Sequence, residues 1–541
     1  RPEIDGLEKF MDYGFMMTLD RTQYLPAPDM WFAGSPINYY YYGQYLFTLL
    51  SKLSAVAPAA GYNLAIATVF AFTGMLSFSV IRVLTSFKPA RGLATRILQV
   101  SGAALGAILV TIGGNSHSFF YADDAPGQAL LRGLQSLGVN VGTIGGFFFS
   151  DSTRFIGHNP DVPDKTIHEF PYYSFLVADL HAHMINLIFV LLFLGLLLVL
   201  VRRVLHTEQP TMEGSGYRIG RLTIPREPLL SRLIHEPAAW FLTLCMAVFM
   251  MCNFWDFIIY LVVLMMVLAF VGVRQYQDLG GWESLPLFAL QFLSYLLPFM
   301  LISTPILQLL VLAIASLFSI IVHRLEQSPL TLAGASSALV FTVAHALTLP
   351  FNLSFDPIAM DMALVEARSA PFQLAILWGS HVLVGLVFLI ALILFARSAN
   401  KHDPNRKLPT RKAAVLRWFS ERDAADIIAL LLWLAGVGLI LAPELLYVVD
   451  IYGGEHKRAN TMFKFTYQAF VMLSLAWGWF AYRFLDQGVK RFTRSASANQ
   501  TEQAQPGQAG RRTVSLILGI AVSLLALVPL WYPFSATPYW L

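Results

Sequence analysis

Two acidic residues near the start of the sequence, Glu8 and Asp12, have the spacing of neighbours on one helix face. Side chains four residues apart on a helix lie one above the other. Two carboxylates placed in this way can hold a divalent cation, or one of them can accept a proton as a general base. The structural alternative is an acidic helix face in contact with water. The pair is therefore a candidate catalytic and metal site.

A second set of ionisable side chains follows an aromatic segment and consists of Asp179, His181 and His183. A carboxylate and imidazoles can orient a substrate, carry a proton or bind a metal. If the segment is helical, Asp179 and His183 share a face and His181 points elsewhere. We predict that all three contact the substrate, with His183 also a metal ligand beside Glu8 and Asp12. The alternative is a hydrogen-bonded group that ties loops together.

A third candidate is the cationic segment that contains Lys457, Arg458, Asn460 and Lys464. Cations in a segment predicted to lie outside the cell break the usual charge rule, and binding of an anion such as phosphate explains them. The alternative is a set of ion pairs with nearby acids, namely Glu444, Asp450 and Glu455. Neither a Walker sequence nor a strand-borne GxGxxG is present, so no nucleotide cofactor is expected.

Aromatic residues and one more acid complete the candidate site. The consecutive residues Tyr39, Tyr40 and Tyr41 are predicted to bind substrate, and the alternative is an aromatic belt at the membrane interface. Asp256 follows the corner Asn253-Phe-Trp at the start of an apolar run. It is predicted to bind substrate too, whereas capping of the helix is the alternative.

The composition indicates that these residues are positioned by membrane helices. Of 541 residues, 56% are hydrophobic and 13% are charged, against roughly 45–50% and 25% in soluble domains. The net charge is +4, and the basic residues lie mainly between apolar runs, so we expect no nucleic-acid partner. Cys245 and Cys252 lie in one apolar run and form neither a disulfide framework nor a CxxC site. We see no signal peptide after Arg1, and whether a span precedes it stays open.

A spanning helix needs about 20 apolar residues, and about twelve segments qualify. The predicted spans are 62–84, 97–113, 184–205, 238–252, 257–273, 285–303, 306–323, 330–349, 372–396, 427–441, 465–484 and 514–530. Because Lys and Arg cluster at alternate span ends, the positive-inside rule places both ends of the sequence outside the cell membrane.

The sequence thus predicts an all-α polytopic membrane protein in three parts. A transmembrane core (1–487) carries the external loops 1–60, 115–179, 349–371 and 443–464. A polar cytoplasmic linker (488–512) is rich in Gln, Ala and Ser. A last span and an external tail (513–541) follow. All candidate site residues fall on the external face.

Several motifs of this chain together resemble a bacterial and archaeal membrane-protein family of unknown function that is named for its YYY motif. The matching pieces are EKFMD, PDMWFAGSPINYYYYGQ, EFPYYSFLVADLHAH, NFWDF and RANTMFKFTYQ, which run from Glu8 to Gln468. The family more often has Phe-Gly-His at Tyr42-Gly43-Gln44 and Asn-Thr-Trp-Asp at 253–256. Because the chain departs from the family at these two places, we less expect an essential role for the residues there that differ.

That family is similar in layout to the GT-C glycosyltransferases, membrane enzymes that take a sugar from a polyprenyl-phosphate carrier on the outer face. The resemblance implies a GT-C-like helical bundle in which Asp12 is the general base or orients the acceptor. It also implies that Glu8 is a metal ligand, with Mg or Mn as the divalent metal. Lys457, Arg458 and Lys464 would hold the donor phosphate.

The implied reaction is inverting transfer of the sugar to a lipid, glycan or protein acceptor, beside membrane lipids as neighbours. Two other functions stay open. A transporter or lipid flippase requires polar residues through mid-membrane and on both faces, whereas the predicted span centres are nearly free of charge. A structural scaffold predicts that the external acids can be removed without loss of function.

Overall fold

The apolar runs of the sequence form helices in the computed structural model, as expected for backbone that must satisfy its own hydrogen bonds away from water. The structure describes residues 3–6, 8–90, 92–206, 217–219, 222–224, 228–276, 283–356, 361–399, 418–495 and 508–540. Its helices are α1 (Lys9–Arg21), α2 (Tyr42–Leu53), α3 (Pro58–Thr85), α4 (Leu93–Ile112), α5 (His117–Tyr121), α6 (Gln128–Ser136), α7 (Pro171–Val177), α8 (Ala182–His206), α9 (Pro228–His235), α10 (Pro237–Cys252), α11 (Phe254–Gln275), α12 (Leu285–Leu301), α13 (Pro305–Glu326), α14 (Pro329–Leu347), α15 (Leu349–Asn352), α16 (Pro371–Ala399), α17 (Ala424–Leu441), α18 (Ala459–Ser495), α19 (Gln508–Leu525) and α20 (Trp531–Trp540).

The strands are few and short. β1 (Tyr217–Ile219) pairs antiparallel with β2 (Leu222–Ile224). β3 (Met362–Leu364) pairs antiparallel with β4 (Leu446–Val448). The chain is therefore an all-α polytopic membrane protein, as the sequence predicts.

Each of the predicted spans coincides with a helix, but not every one of these helices is long and apolar enough to cross a membrane. Among the described residues, 8 helices meet that test: α3, α4, α8, α11, α13, α14, α16 and α17. A ninth is counted if α9 and α10, which meet at a bend of 71°, form one span. The apolar helix α12 has only 17 residues, and α18 and α19 are not among the helices that meet the test. The prediction of about twelve spans therefore compares with eight or nine by this test.

The chain divides into two compact units. Unit 1 comprises Arg1–Val69, Leu180–Pro357 and Lys407–Leu431. Unit 2 comprises Phe70–Asp179, Ile358–Arg406 and Leu432–Leu541.

Unit 1 is organised around α14, which packs against α10, α11, α12 and α13. Small residues in α14 allow this close packing. A Cβ added at Gly334 would lie 2.4 Å from the side-chain oxygen of Gln291. The Gln291 amide in turn donates to the backbone carbonyls of Ser319 (2.8 Å) and Thr331 (3.2 Å), which links α12 to α13 and α14.

Unit 2 contains the contacts of α18 with α4, α16 and α19. The helices α4 and α18 approach most closely at small residues, where a Cβ on Gly478 would lie 2.6 Å from the carbonyl oxygen of Gly102. Both ends of the predicted linker 488–512 are helical, because α18 continues to Ser495 and α19 begins at Gln508. Residues 496–507 of that linker lie outside the described residues, as do 357–360 of the predicted loop 349–371.

Candidate functional site

The acidic pair of unit 1 has the helical spacing that the sequence predicts. The carbonyl oxygen of Glu8 accepts the backbone N–H of Asp12 at 3.2 Å, so both residues belong to the first turn of α1. Their environments differ sharply, because Asp12 is fully buried whereas the Glu8 side chain is 55% exposed. The alternative of a water-exposed acidic face therefore describes Glu8 and not Asp12.

The imidazole of His181 joins the two acids. Its Nδ1 lies 3.0 Å from Glu8 Oε2 and 3.2 Å from Asp12 Oδ2. On the other side of the ring, Nε2 lies 2.9 Å from the hydroxyl of Tyr39. Ionised carboxylates only accept hydrogen bonds, so Nδ1 carries the proton and, in the neutral ring, Nε2 accepts from the Tyr39 hydroxyl. We call Glu8, Asp12, Tyr39 and His181 the acid–histidine cluster.

Gln44 in α2 holds the buried carboxylate in one orientation. Its Nε2 donates to Asp12 Oδ1 at 2.7 Å and to the carbonyl oxygen of Leu180 at 3.3 Å. Gln44 is fully buried. With Oδ1 bound by Gln44, only Oδ2 of Asp12 faces His181. The sequence interpretation missed this residue, because a Gln in place of the more frequent His suggested a variable position; either side chain can donate a hydrogen bond.

Burial raises the pKa of the Asp12 carboxyl above its usual value. The positive charge of His181 and the hydrogen bonds from His181 and Gln44 act in the opposite direction and leave the net shift upward. The cluster thus combines an exposed carboxylate with a buried one that takes up a proton more readily. Perturbed carboxyl groups of this kind are frequent at functional sites.

The predicted tyrosines pack against other aromatic side chains of unit 1. Tyr41 is 5% exposed and packs with its ring 5.5 Å from that of Phe351. Tyr40 lies 5.0 Å from the ring of Phe355, and burial raises the pKa of both tyrosine hydroxyls. Tyr39 contacts His181. Substrate binding by Tyr40 and Tyr41 stays a prediction.

A second buried polar pair lies at the beginnings of α8 and α11. The Asn186 amide donates to Asp256 Oδ2 at 2.6 Å, and both residues are fully buried. The imidazole ring of His183, in the first turn of α8, lies 5.1 Å from that of His181. Asp256 is therefore hydrogen-bonded to a neighbouring helix, a partner that the sequence did not suggest. The roles of His183 and Asp256 in binding stay predictions.

Asp179 and His183 do not share a helix face. The helix α7 ends at Val177, Ala178 has a left-handed conformation (φ 56°), and α8 begins only at Ala182. The helical spacing assumed for this segment is therefore wrong, because the residues between α7 and α8 are not helical. The break leaves His181 just before α8, at the position from which it contacts both acids. Asp179 is the last residue of the first segment of unit 2, and its role stays a prediction.

In unit 2, Arg458 is 2% exposed and sits among carboxylates. Its guanidinium donates to Asp164 from Nε at 3.0 Å and from Nη2 at 2.6 Å, while Nη1 lies 2.9 Å from Glu444. The Glu444 carboxylate also accepts from the hydroxyl and backbone N–H of Ser369. Burial lowers the pKa of Arg458, but the hydrogen bonds with Asp164 and the charge of Glu444 raise it more. Local ion pairing therefore accounts for Arg458.

The other members of the cationic segment also have partners in unit 2. Lys457 Nζ lies 3.0 Å from Glu366, in a contact whose side chains are 46% and 77% exposed. The Asn460 amide donates to Asp450 at 2.8 Å. Lys464 lies 4.5 Å from the centre of the Phe463 ring. Glu444 is the one acid among the expected partners that pairs directly with a cation of this segment in the described contacts, and that cation is Arg458. Phosphate binding by these residues stays a prediction.

The acid–histidine cluster has the ligand types that a divalent metal requires. Mg and Mn prefer carboxylate oxygen, and Mn also accepts imidazole nitrogen. Glu8 and His181 belong to a group of possible metal ligands whose ligand atoms lie within 4.8 Å of one another. Asp12 contacts Nδ1 of His181. Glu8 therefore fits the predicted metal, and Asp12 and His183 stay predicted ligands.

The profile of one protein family, described as "Uncharacterized membrane protein (DUF2298)", matches residues 1–412 and 408–473. The match covers most of the chain, including the acid–histidine cluster. A search among curated proteins finds no match.

Two solved structures are similar to the chain at low sequence identity. The first is described as the archaeal oligosaccharyltransferase AglB from Archaeoglobus fulgidus in complex with an inhibitory peptide and a dolichol-phosphate; it has a TM-score of 0.42, 10% identity, and covers 97% of this chain and 52% of that chain. The second is described as the Archaeoglobus fulgidus oligosaccharyltransferase tethered with an acceptor peptide via a disulfide bond; it has a TM-score of 0.35, 12% identity, and covers 99% of this chain and 52% of that chain. The chain spans about half the length of each.

Proposed function

Because the chain belongs to the family described as Uncharacterized membrane protein (DUF2298), whose description names no reaction, we propose a function from the chain's own residues. The protein is an integral membrane glycosyltransferase of the GT-C type. It transfers a sugar from a polyprenyl-phosphate-linked donor to an acceptor hydroxyl at the extracytoplasmic face. The acceptor belongs to a lipid, a glycan or a protein.

The observation that carries this proposal is the acid–histidine cluster. An exposed carboxylate, Glu8, lies 3.0 Å from an imidazole N–H whose other carboxylate partner, Asp12, is fully buried. This places one acid where an acceptor can touch it and a second that is buried and contacts His181.

Glu8 is the catalytic residue of this scheme. Its carboxylate takes the proton of the acceptor hydroxyl, whose oxygen then attacks the anomeric carbon. The bond between that carbon and the phosphate oxygen breaks, and the electron pair leaves with the polyprenyl phosphate. General-base assistance of this kind contributes about 10²–10⁴-fold in rate. A single displacement inverts the anomeric configuration.

Asp12, His181, Tyr39 and Gln44 are positioning residues in this scheme. Asp12 fixes the His181 tautomer with the proton on Nδ1, so that this N–H can donate to Glu8. Tyr39 holds the opposite ring nitrogen, and Gln44 keeps Asp12 turned towards His181. The resemblance of motifs implies Asp12 itself as the general base, whereas its burial favours Glu8 for direct contact with the acceptor.

The leaving polyprenyl phosphate needs positive charge. A bound Mg or Mn ion, held by Glu8 and Asp12, would neutralise charge that develops on the phosphate. Arg458 is committed to two carboxylates, which leaves Lys457 and Lys464 as the phosphate-binding candidates that the sequence predicts. A lipid-borne donor also accounts for a sequence without a nucleotide-binding motif.

The test offers the full chain, in lipid nanodiscs, a panel of labelled polyprenyl-phosphate sugars and follows the release of polyprenyl phosphate. We expect turnover of at least one donor and a loss of about 10²–10⁴-fold in Glu8→Gln. Asp5→Asn is the matched control, because Asp5 is an exposed acid of the same segment. Absence of turnover with every donor, or a Glu8→Gln variant as active as Asp5→Asn, contradicts the proposal.

A further inference from the structure

Unit 1 contains a half-open cavity of about 60 Å³ that is separate from the acid–histidine cluster. Its walls come from α8, α9, α10, α11 and α14, and all lining side chains are apolar except Thr243 and Ser336. Trp240, at the bend between α9 and α10, lines the cavity and is 56% exposed. The lining excludes a charged or strongly polar occupant, because such a ligand would lose its hydration without compensation.

The cavity lies at the end of α8 that is far from His181, the residue that contacts the proposed catalytic Glu8. His181 directly precedes α8, and the lining residue Leu200 follows it by 19 positions, a distance of about 28 Å along a helix. This end of α8 continues into Arg202 and Arg203, which the charge rule assigns to the cytoplasmic side. The cavity is therefore too far from the acid–histidine cluster to hold the sugar and phosphate of a donor bound there.

One polar atom inside the cavity has an unmet hydrogen-bonding capacity. The hydroxyl of Thr243 donates to the carbonyl oxygen of Ala239 at 2.8 Å. Ser336 is 6% exposed, and its hydroxyl has no hydrogen-bond partner among the described residues. Buried hydroxyl groups are usually hydrogen-bonded. An occupant that is mostly hydrocarbon but carries an acceptor, such as the ester carbonyl of a glycerolipid, would satisfy both the lining and Ser336.

Positive charge surrounds the same end of unit 1. Arg203 pairs with Glu236 at 3.2 Å, and Glu236 lies at the corner between α9 and α10, both of which line the cavity. Arg202 is exposed one residue earlier, and Arg232 lies on α9 between the lining residues Leu230 and Leu233. An anionic phosphate at the membrane surface would complement Arg202 and Arg232.

We propose that this cavity is a binding site for one chain of an anionic glycerophospholipid of the cytoplasmic leaflet, with its phosphate near Arg202 and Arg232. Hydrocarbon gains nothing by leaving other lipid chains for an apolar protein surface. A preference of the lipid for the cavity must therefore come from the void that its acyl chain fills and from its charged headgroup. Filling a void of about 60 Å³ corresponds to about a tenfold preference over surrounding lipid.

Photolabelling of the full chain in nanodiscs tests the site. The probe is phosphatidylglycerol with a diazirine on one acyl chain, and the labelled peptides are identified by mass spectrometry. The reference is the lipid-facing side of α13, where Ile314 and Leu317 are 67% and 60% exposed. We expect labelling of α9, α10 and α14 about tenfold above the reference. Equal labelling of both regions overturns the proposal.

Two variants and one lipid separate the parts of the proposal. Ala239→Phe fills the cavity and should reduce its labelling to the reference level, whereas Ala313→Phe on α13 is the matched control outside the cavity. Arg202→Gln with Arg232→Gln should remove the advantage of phosphatidylglycerol over a phosphatidylcholine probe of the same chains. If both probes label the wild-type cavity equally, the headgroup assignment fails. None of these results depends on sugar transfer, so they stand apart from a failed donor assay.

Discussion

The variant Asp12→Asn tests the hydrogen-bond chain beneath the proposed catalytic base. Gln44 Nε2 donates to Asp12 Oδ1 at 2.7 Å, so an asparagine must keep its oxygen towards Gln44. Its NH₂ group then takes the position of Oδ2, which faces His181 Nδ1 at 3.2 Å. Two donors cannot share this contact, so position 12 no longer accepts the His181 Nδ1 proton. Glu8 Oε2, which lies 3.0 Å from the same nitrogen, stays as a carboxylate acceptor, and His181 loses one of the contacts that orient it.

The variant should lose rate and some stability. A His181 that faces the new NH₂ group no longer holds Glu8 firmly in place, so part of general-base catalysis, which is worth about 10²–10⁴-fold, should be lost. The hydrogen bond with Gln44 is kept and the one with His181 is lost, so the free energy of unfolding should fall by about 1–3 kcal/mol. The assay is release of polyprenyl phosphate, measured beside the thermal midpoint of the same preparation.

The pH profile gives the same prediction a second readout. Burial raises the pKa of Asp12, and only its ionised form can accept the His181 Nδ1 proton through Oδ2. Activity should therefore rise with pH through a pKa above that of an ordinary aspartate. The pH–rate profile of Asp12→Asn should not show this rise. Adding Gln44→Met frees the asparagine to turn its oxygen to His181, so the double variant should be less impaired than Asp12→Asn alone. An Asp12→Asn enzyme with wild-type rate and profile refutes the reasoning.

Three further predictions concern contacts of named side chains. Tyr39→Phe removes a neutral hydrogen bond of 2.9 Å to His181 and should lower kcat/KM by about 2- to 12-fold, whereas Tyr42→Phe should not; a loss of a hundredfold or more would instead make Tyr39 a proton carrier. Arg458→Met leaves two carboxylates without their buried cation and should lower the free energy of unfolding by about 3–5 kcal/mol, measured as a lower thermal midpoint than that of Lys457→Met, whose cation is exposed. A chelator should abolish turnover, and Mg or Mn should restore it; full activity after chelation contradicts the metal assignment.

The helices could be predicted from the sequence because apolar runs leave few other structures in a membrane. Every predicted span coincides with a helix, and the pair Glu8–Asp12 has its helical spacing. The break after α7 could not be predicted, since Asp179 to His183 reads as helix and only the left-handed Ala178 ends it. That break is what brings His181 to both acids.

Side-chain contacts between residues that are distant in the sequence could not be predicted either. Asp12 lies 32 positions from Gln44 and Asp256 lies 70 from Asn186, and neither contact leaves a local pattern. The same holds for Arg458 and Asp164, which are 294 positions apart. Sequence spacing identified the chemical groups, but packing decides which carboxylate is exposed, and this decides which acid can touch an acceptor.

The anomeric configuration of the product tests the central claim most directly. The full chain would be given a turned-over polyprenyl-phosphate sugar of known configuration, and the product would be examined by NMR spectroscopy. Transfer by direct attack, with Glu8 as the base, predicts a product of the opposite anomeric configuration that is lost in Glu8→Gln and kept in Asp5→Asn. A product with retained configuration, or one that forms equally well in Glu8→Gln, would contradict the account.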